Sequence, residues 1–126
     1  MEKLGRPKIK RLYSKCLNLV KRKPAEFFLL KKMRGVHGYC NWTDIEINPS
    51  GELLATAYHE CIHYIHPEWC ETQVLYAEKR MINLMTYLDH ARFLKDISLK
   101  LYKSELIRHI ASRPRKRKTS TKKIKK

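Results

Sequence analysis

The 126-residue sequence predicts one small α+β domain, and three observations lead there. Apolar residues recur at three and four from Ile9 to Val20, the spacing of an amphipathic helix. Between residues 27 and 49 the pattern changes to short apolar runs and an alternation of period two, punctuated by glycine and proline. From Leu53 to about Ile110 helical spacing returns. A small antiparallel or mixed sheet packed on helices fits that order, with 1–8 expected as a loose basic leader, 9–112 as the domain and 113–126 as a disordered basic tail.

Ile9, Leu12, Tyr13, Cys16, Leu17, Leu19 and Val20 make the apolar stripe of the first helix. Lys21-Arg22-Lys23-Pro24 ends it, because cations suit a helix C-terminus and proline restricts the residue before it. Phe27-Phe28-Leu29-Leu30 has strand length. Gly35 and Gly38 punctuate the next stretch, and Val36 to Trp42 and Thr43 to Ile47 read as two more strands. In the last of these, Ile45 and Ile47 alternate with Asp44 and Glu46. Asn48-Pro49-Ser50-Gly51 is a turn. Leu53 to Ile65 is a helix with Leu54, Ala57, Tyr58, Cys61, Ile62 and Ile65 on its apolar face, stopped by Pro67. A second long helix is expected from Cys70-Glu71 to about His90, with Val74, Ala77, Met81, Met85 and Leu88 buried, and a further one from Ala91 to about Ile110.

Composition narrows the class. No apolar run approaches the roughly 20 residues needed to span a bilayer, and no apolar stretch of signal-peptide length comes after the basic N-terminus. Cys16, Cys40, Cys61 and Cys70 form no CxxC, so neither a disulfide framework nor a cysteine zinc knuckle is favoured. A cytoplasmic, non-secreted protein without membrane association is the expectation. The formal charge of +16 is uneven. Residues 1–34 hold twelve Lys/Arg against two Glu, and residues 113–126 hold nine with no acid. The stretch between carries seven basic and ten acidic residues. Two cationic arms therefore flank a slightly acidic middle, and such arms attract DNA or RNA. Within the tail, Arg113, Arg115, Lys116, Arg117 and Lys118 are the candidate contacts.

The chemistry concentrates at His59-Glu60-Cys61-Ile62-His63. On a helix, histidines four apart stand one above the other, about 5–6 Å between Cβ atoms, so both imidazoles can reach one Zn²⁺. Glu60 lies beside such an ion, placed to take a proton from zinc-bound water, as metal-assisted peptide hydrolysis requires. A catalytic zinc needs a third protein ligand. The candidates after His63 are His66, Glu68, Glu71 and Glu78. His66 is seven residues from His59, about 10 Å along a straight helix, too far to converge on one ion. The chain can turn at Pro67 and return, and Glu71 then opens the next helix three residues before the buried Val74. Glu71 is the preferred ligand, with Glu78 the alternative two turns on. The HExxHxxGxxH pattern is excluded, since Trp69 stands where its third histidine would be.

Leu53-Leu54-Ala55-Thr56-Ala57-Tyr58-His59-Glu60-Cys61-Ile62-His63, with His66-Pro67-Glu68-Trp69-Cys70-Glu71 and Val74 after it, resembles the small HExxH metallopeptidase-like proteins. These are the SprT-like proteins and minigluzincins, many of them phage-borne. Gly38-Tyr39-Cys40-Asn41-Trp42 and Asp44-Ile45-Glu46-Ile47-Asn48-Pro49 resemble the strand pair that precedes their motif helix. The resemblance spans about residues 25–88. It implies a zincin-like fold in which an edge strand, Val36 to Trp42 or Asp44 to Asn48, lies above the metal and pairs with an extended peptide. The histidine third ligand common in SprT-like proteins has no clear counterpart here.

The sequence thus favours a zinc peptidase in which His59, His63 and Glu71 hold Zn²⁺ and Glu60 assists attack of zinc-bound water on a protein or peptide substrate. The competing readings are a basic nucleic-acid-binding protein and an inactive partner-binding module, each with a structural zinc site. Tyr39, Tyr58, Tyr64 and Tyr76 are candidates for a hydroxyl that steadies the oxyanion. His37, His90 and His109 are expected at the surface or at helix ends. Cys61 and Cys70 are expected as small core residues, and Trp69 as a packing anchor at the helix–helix turn.

Overall fold

In the computed structural model, residues 2–32, 38–41, 43–49 and 52–112 are described. The tail cations Arg113, Arg115, Lys116, Arg117 and Lys118 lie outside these residues, as do Val36, His37, Trp42, Ser50 and Gly51. The elements run α1 (Arg6–Arg22), a 3₁₀ turn (Ala25–Phe27), β1 (Phe28–Leu30), β2 (Gly38–Cys40), β3 (Ile45–Ile47), α2 (Leu53–Ile65), α3 (Glu71–Leu84) and α4 (Tyr87–Ala111).

Helix α1 starts three residues earlier than its apolar stripe, because Pro7 suits the first turn, where its missing N–H is not needed. The segment before it is no loose leader. Leu4 is buried, Glu2 exchanges two hydrogen bonds with Gln73, and Arg80 donates to the Leu4 carbonyl at 3.1 Å. These contacts satisfy backbone that a free terminus would leave to water. At its other end α1 is closed by Lys100 of α4, whose ammonium donates to the carbonyls of Lys21 and Lys23.

The sheet has the order β1-β3-β2, with β1 parallel and β2 antiparallel to β3. Ile45 and Ile47 are fully buried, so the period-two reading of β3 is correct, and Glu46 between them pairs with Lys31 at 3.8 Å. Strand β3 is therefore interior, and of the two strands considered for a free edge only β2 has one among the described residues.

Helix α2 is the hub, packing on α1, α3, α4, β2 and β3. Tyr58 anchors it. Its ring stacks on Phe93 (centroids 4.3 Å apart) and meets Tyr13 edge-on, while its hydroxyl donates to His90 Nδ1 at 2.9 Å. His90 in turn donates from Nε2 to the Ile82 carbonyl at 3.0 Å. His90 is thus a buried structural group in the first turn of α4, at a helix end as one of its two expected positions had it but not at the surface.

The expected helix from Cys70 to His90 is broken. Helix α3 ends at Leu84, and α4 begins at Tyr87 under a capping box in which Thr86 accepts from the Asp89 N–H and Asp89 accepts from the Thr86 N–H. Cys70 is exposed at the N-cap of α3, not a core residue. Among the described residues no helix is long and apolar enough to cross a membrane.

Candidate metal centre

Because Tyr58, Cys61 and Ile62 bury one side of α2, the helix turns His59, Glu60 and His63 towards a cleft of about 850 Å³. One wall is β2 and the other is α3. The chain reverses through residues 66–70. There the His66 and Trp69 rings stack at 3.8 Å and His66 Nδ1 bonds Glu68 at 2.8 Å, so His66 is engaged away from the other histidines. The reversal sets Glu71 in the first turn of α3, opposite α2.

The Glu71 carboxylate forks between the two imidazoles. One oxygen is 2.9 Å from His59 Nε2 and the other 2.8 Å from His63 Nε2. One donor atom each from His59, His63 and Glu71 lie within 4.8 Å of one another, close enough to hold a metal ion. Glu78 is elsewhere on the same helix, 2.9 Å from His59 Nδ1. That contact selects the Nδ1–H tautomer and leaves the Nε2 lone pair for a metal, the orienting role carboxylates play behind metal-bound histidines. The sequence left Glu71 and Glu78 as alternatives for one position; the structure gives them different atoms of the same histidine. Burial pulls the His59 pKa down, but the Glu78 hydrogen bond and the charges of Glu71 and Glu60 outweigh it, and the pKa is raised.

Glu60 is a different kind of group. It is 6% exposed, its carboxylate makes neither a hydrogen bond nor an ion pair among the described residues, and it opens on the cleft. Burial raises its pKa to about 7, the His59 charge opposes that, and Glu71 and Glu78 reinforce it. Gly38 of β2 lies directly against it. A Cβ there would come within 2.9 Å of Glu60 Cγ, Glu60 Oε2 and Thr56 Cγ2, so only glycine lets the strand approach this closely. The sequence offered Gly38 as punctuation and as part of an expected strand, and nothing short of the pairing of β2 with β3 would have revealed its contact with Glu60.

Compared with protein-family models, curated proteins and solved structures, the chain matches none.

Of the four tyrosines considered, Tyr39 alone lines the cleft. Tyr58 serves His90, Tyr64 packs edge-on against Phe27, and the Tyr76 hydroxyl accepts from the Leu4 N–H at 3.4 Å. Leu75 of α3, which the sequence did not single out, adds an exposed apolar side chain to the wall. Cys61 is buried beside Cys16, away from the histidines, and Cys40 lines the cleft with its thiol pushed up to about 12 by burial and by the Glu60 and Asp44 charges. Cys40 is not among the donors that converge there.

Proposed function

We propose that this chain is a zinc-dependent peptidase, a minimal zincin-like domain similar to the SprT-like proteins and minigluzincins. The observation that carries the reading is Glu60: a largely buried carboxylate that opens on the cleft, with no hydrogen-bond or ion-pair partner among the described residues, beside three convergent donors. A closed structural metal site has no use for such a group, and leaving it unpaired is unfavourable.

Two imidazole nitrogens and one carboxylate suit Zn²⁺ and leave a position free for water or substrate. When bound, Zn²⁺ supplies Lewis acidity, acidifying a water and polarising a carbonyl oxygen. Glu60 takes the proton of the attacking water as the new C–O bond forms. It then delivers that proton to the leaving nitrogen as the peptide C–N bond breaks. Glu78 keeps the His59 ring in its productive tautomer. The free edge of β2 is suited to pairing with an extended peptide laid along the cleft, and Leu75 offers an apolar contact for one of its side chains.

The test is cleavage of unfolded protein and of peptide libraries by zinc-loaded protein, wild type against Glu60→Gln. The variant is expected to retain zinc and to lose at least about 10²–10⁴-fold in rate. Equal cleavage by the variant, or none by the zinc-loaded wild type on any of these substrates, overturns the peptidase reading.

A further inference from the structure

We infer that the outward face of α1 is a docking surface for duplex DNA, separate from the metal centre. The helix carries seven cations, Arg6, Lys8, Lys10, Arg11, Lys15, Lys21 and Arg22, and no acid; all seven are exposed. Among the described residues only Lys8 has a carboxylate partner, Glu2 at 3.2 Å. Over its first three turns the arrangement works against the helix itself, whereas Lys21 and Arg22 suit its C-terminal end. Arg6 and Lys8 sit at the positive end of its dipole, and Arg6–Lys10 and Arg11–Lys15 are like-charge pairs four apart. A face kept polar only for solubility would mix signs and avoid that repulsion.

The positions matter more than the number. At about 100° per residue, Lys8, Arg11, Lys15 and Arg22 fall in one row along the helix, and Arg6, Lys10 and Lys21 in a second, rather more than a third of a turn away. Ser14 and Asn18, both exposed, run between the rows. Two cationic rows flanking a strip of small hydrogen-bonding residues match a major groove, with a phosphate backbone on each side and base edges between. A helix about 10–12 Å across fits a groove about 12 Å wide. The same features disfavour other polyanions. An anionic membrane calls for long apolar side chains on the face, single strands call for aromatic platforms, and the A-form major groove is too narrow for a helix. No exposed aromatic or long aliphatic side chain lies on this face.

Its place in the fold separates it from the metal. The buried side of α1 packs on Tyr58 and Cys61 of α2, through the Tyr13 ring and the Cys16 thiol. His59 and His63 leave α2 roughly 150° around from there. Bound DNA would therefore lie behind the cleft, holding the protein in place rather than entering the site.

The experiment is fluorescence anisotropy of the full chain on a labelled DNA duplex from about 50 to 200 mM salt, comparing wild type with K10Q/R11Q/K15Q/R22Q. Each lost phosphate contact flattens the log–log salt slope by about 0.9, so between these salts the variant should lose about 100-fold less affinity than wild type. R11K/R22K should bind as wild type does, and circular dichroism should be unchanged, since the substituted side chains are exposed. Chelating the metal should leave binding intact, so this outcome and that of the peptidase assay are read independently. An unchanged slope in the quadruple variant overturns the inference, as does binding that vanishes only on truncation at Ser112. Tighter binding to phosphatidylserine vesicles, double-stranded RNA or single-stranded DNA than to the duplex overturns it as well.

Discussion

Glu60→Gln should make the metal-free protein more stable, and by an amount that depends on pH. The wild-type carboxyl group ionises near 4.5 when exposed and near 7 in the folded chain, where burial dominates its environment. Below 4.5 both folded and unfolded chains hold the proton and nothing is lost. Between 4.5 and about 7 the unfolded chain releases it first, so wild-type stability falls as pH rises. Above about 7 the full difference applies, at 1.36 kcal/mol per pKa unit, or about 3 kcal/mol. Glutamine has nearly the same shape and does not titrate. Urea unfolding of chelator-treated wild type and variant at about pH 4.5 and about pH 8 measures the effect as a difference of differences, which cancels the amide's own burial and the titrations the two proteins share. The variant's relative stability should rise by about 3 kcal/mol between the two pH values. A change below about 1 kcal/mol, or of opposite sign, would mean that Glu60 is solvated or paired, and the catalytic role proposed for it would lose its physical support.

His59→Ala and His63→Ala should each abolish stoichiometric zinc by elemental analysis, and Glu71→Ala should weaken it strongly. Glu78→Ala should keep all three donors but lose about 10–100-fold in affinity, measured by competition with a chromophoric chelator. Gly38→Ala should lower stability by about 1–3 kcal/mol in urea, because the new methyl overlaps Glu60 and Thr56, while zinc affinity stays near wild type. Tyr58→Phe should cost about 1–3 kcal/mol by the same measurement, since it leaves buried His90 Nδ1 without its donor. Thr86→Ala removes the α4 cap and should cost about 1 kcal/mol; no change in either midpoint would refute the role given to that hydrogen bond.

The motif helix was fully legible, Leu53 to Ile65, because a strong apolar face and Pro67 delimit it. Glu71 was legible too, once the chain was required to turn and come back. The break between α3 and α4 was missed for a local reason. Met85 and Leu88 continue the apolar stripe of α3, and that periodicity masked the Thr86-x-x-Asp89 capping signature; Leu88 is in fact exposed. The docking of residues 2–4 and the burial of His90 depend on partners some 70 and 32 positions away, which no local pattern encodes. Glu78 was visible as a carboxylate on the correct stripe, but which imidazole nitrogen it meets depends on the helix–helix angle.

The connection between the two helices that carry the convergent His and Glu donors is only residues 66–70, whereas the wall over Glu60 comes from β2, more than twenty positions upstream. Closing a short loop carries a small entropic penalty and forms quickly; the distant strand must wait for the sheet. The donor set thus depends on a local connection, and the wall over Glu60 on a distant strand. If the chain is the zinc peptidase proposed, partial loosening of the sheet, by heat or by mutation, should yield a species that still captures metal yet cannot turn over. Metal content and activity would decay at different temperatures, with activity lost first.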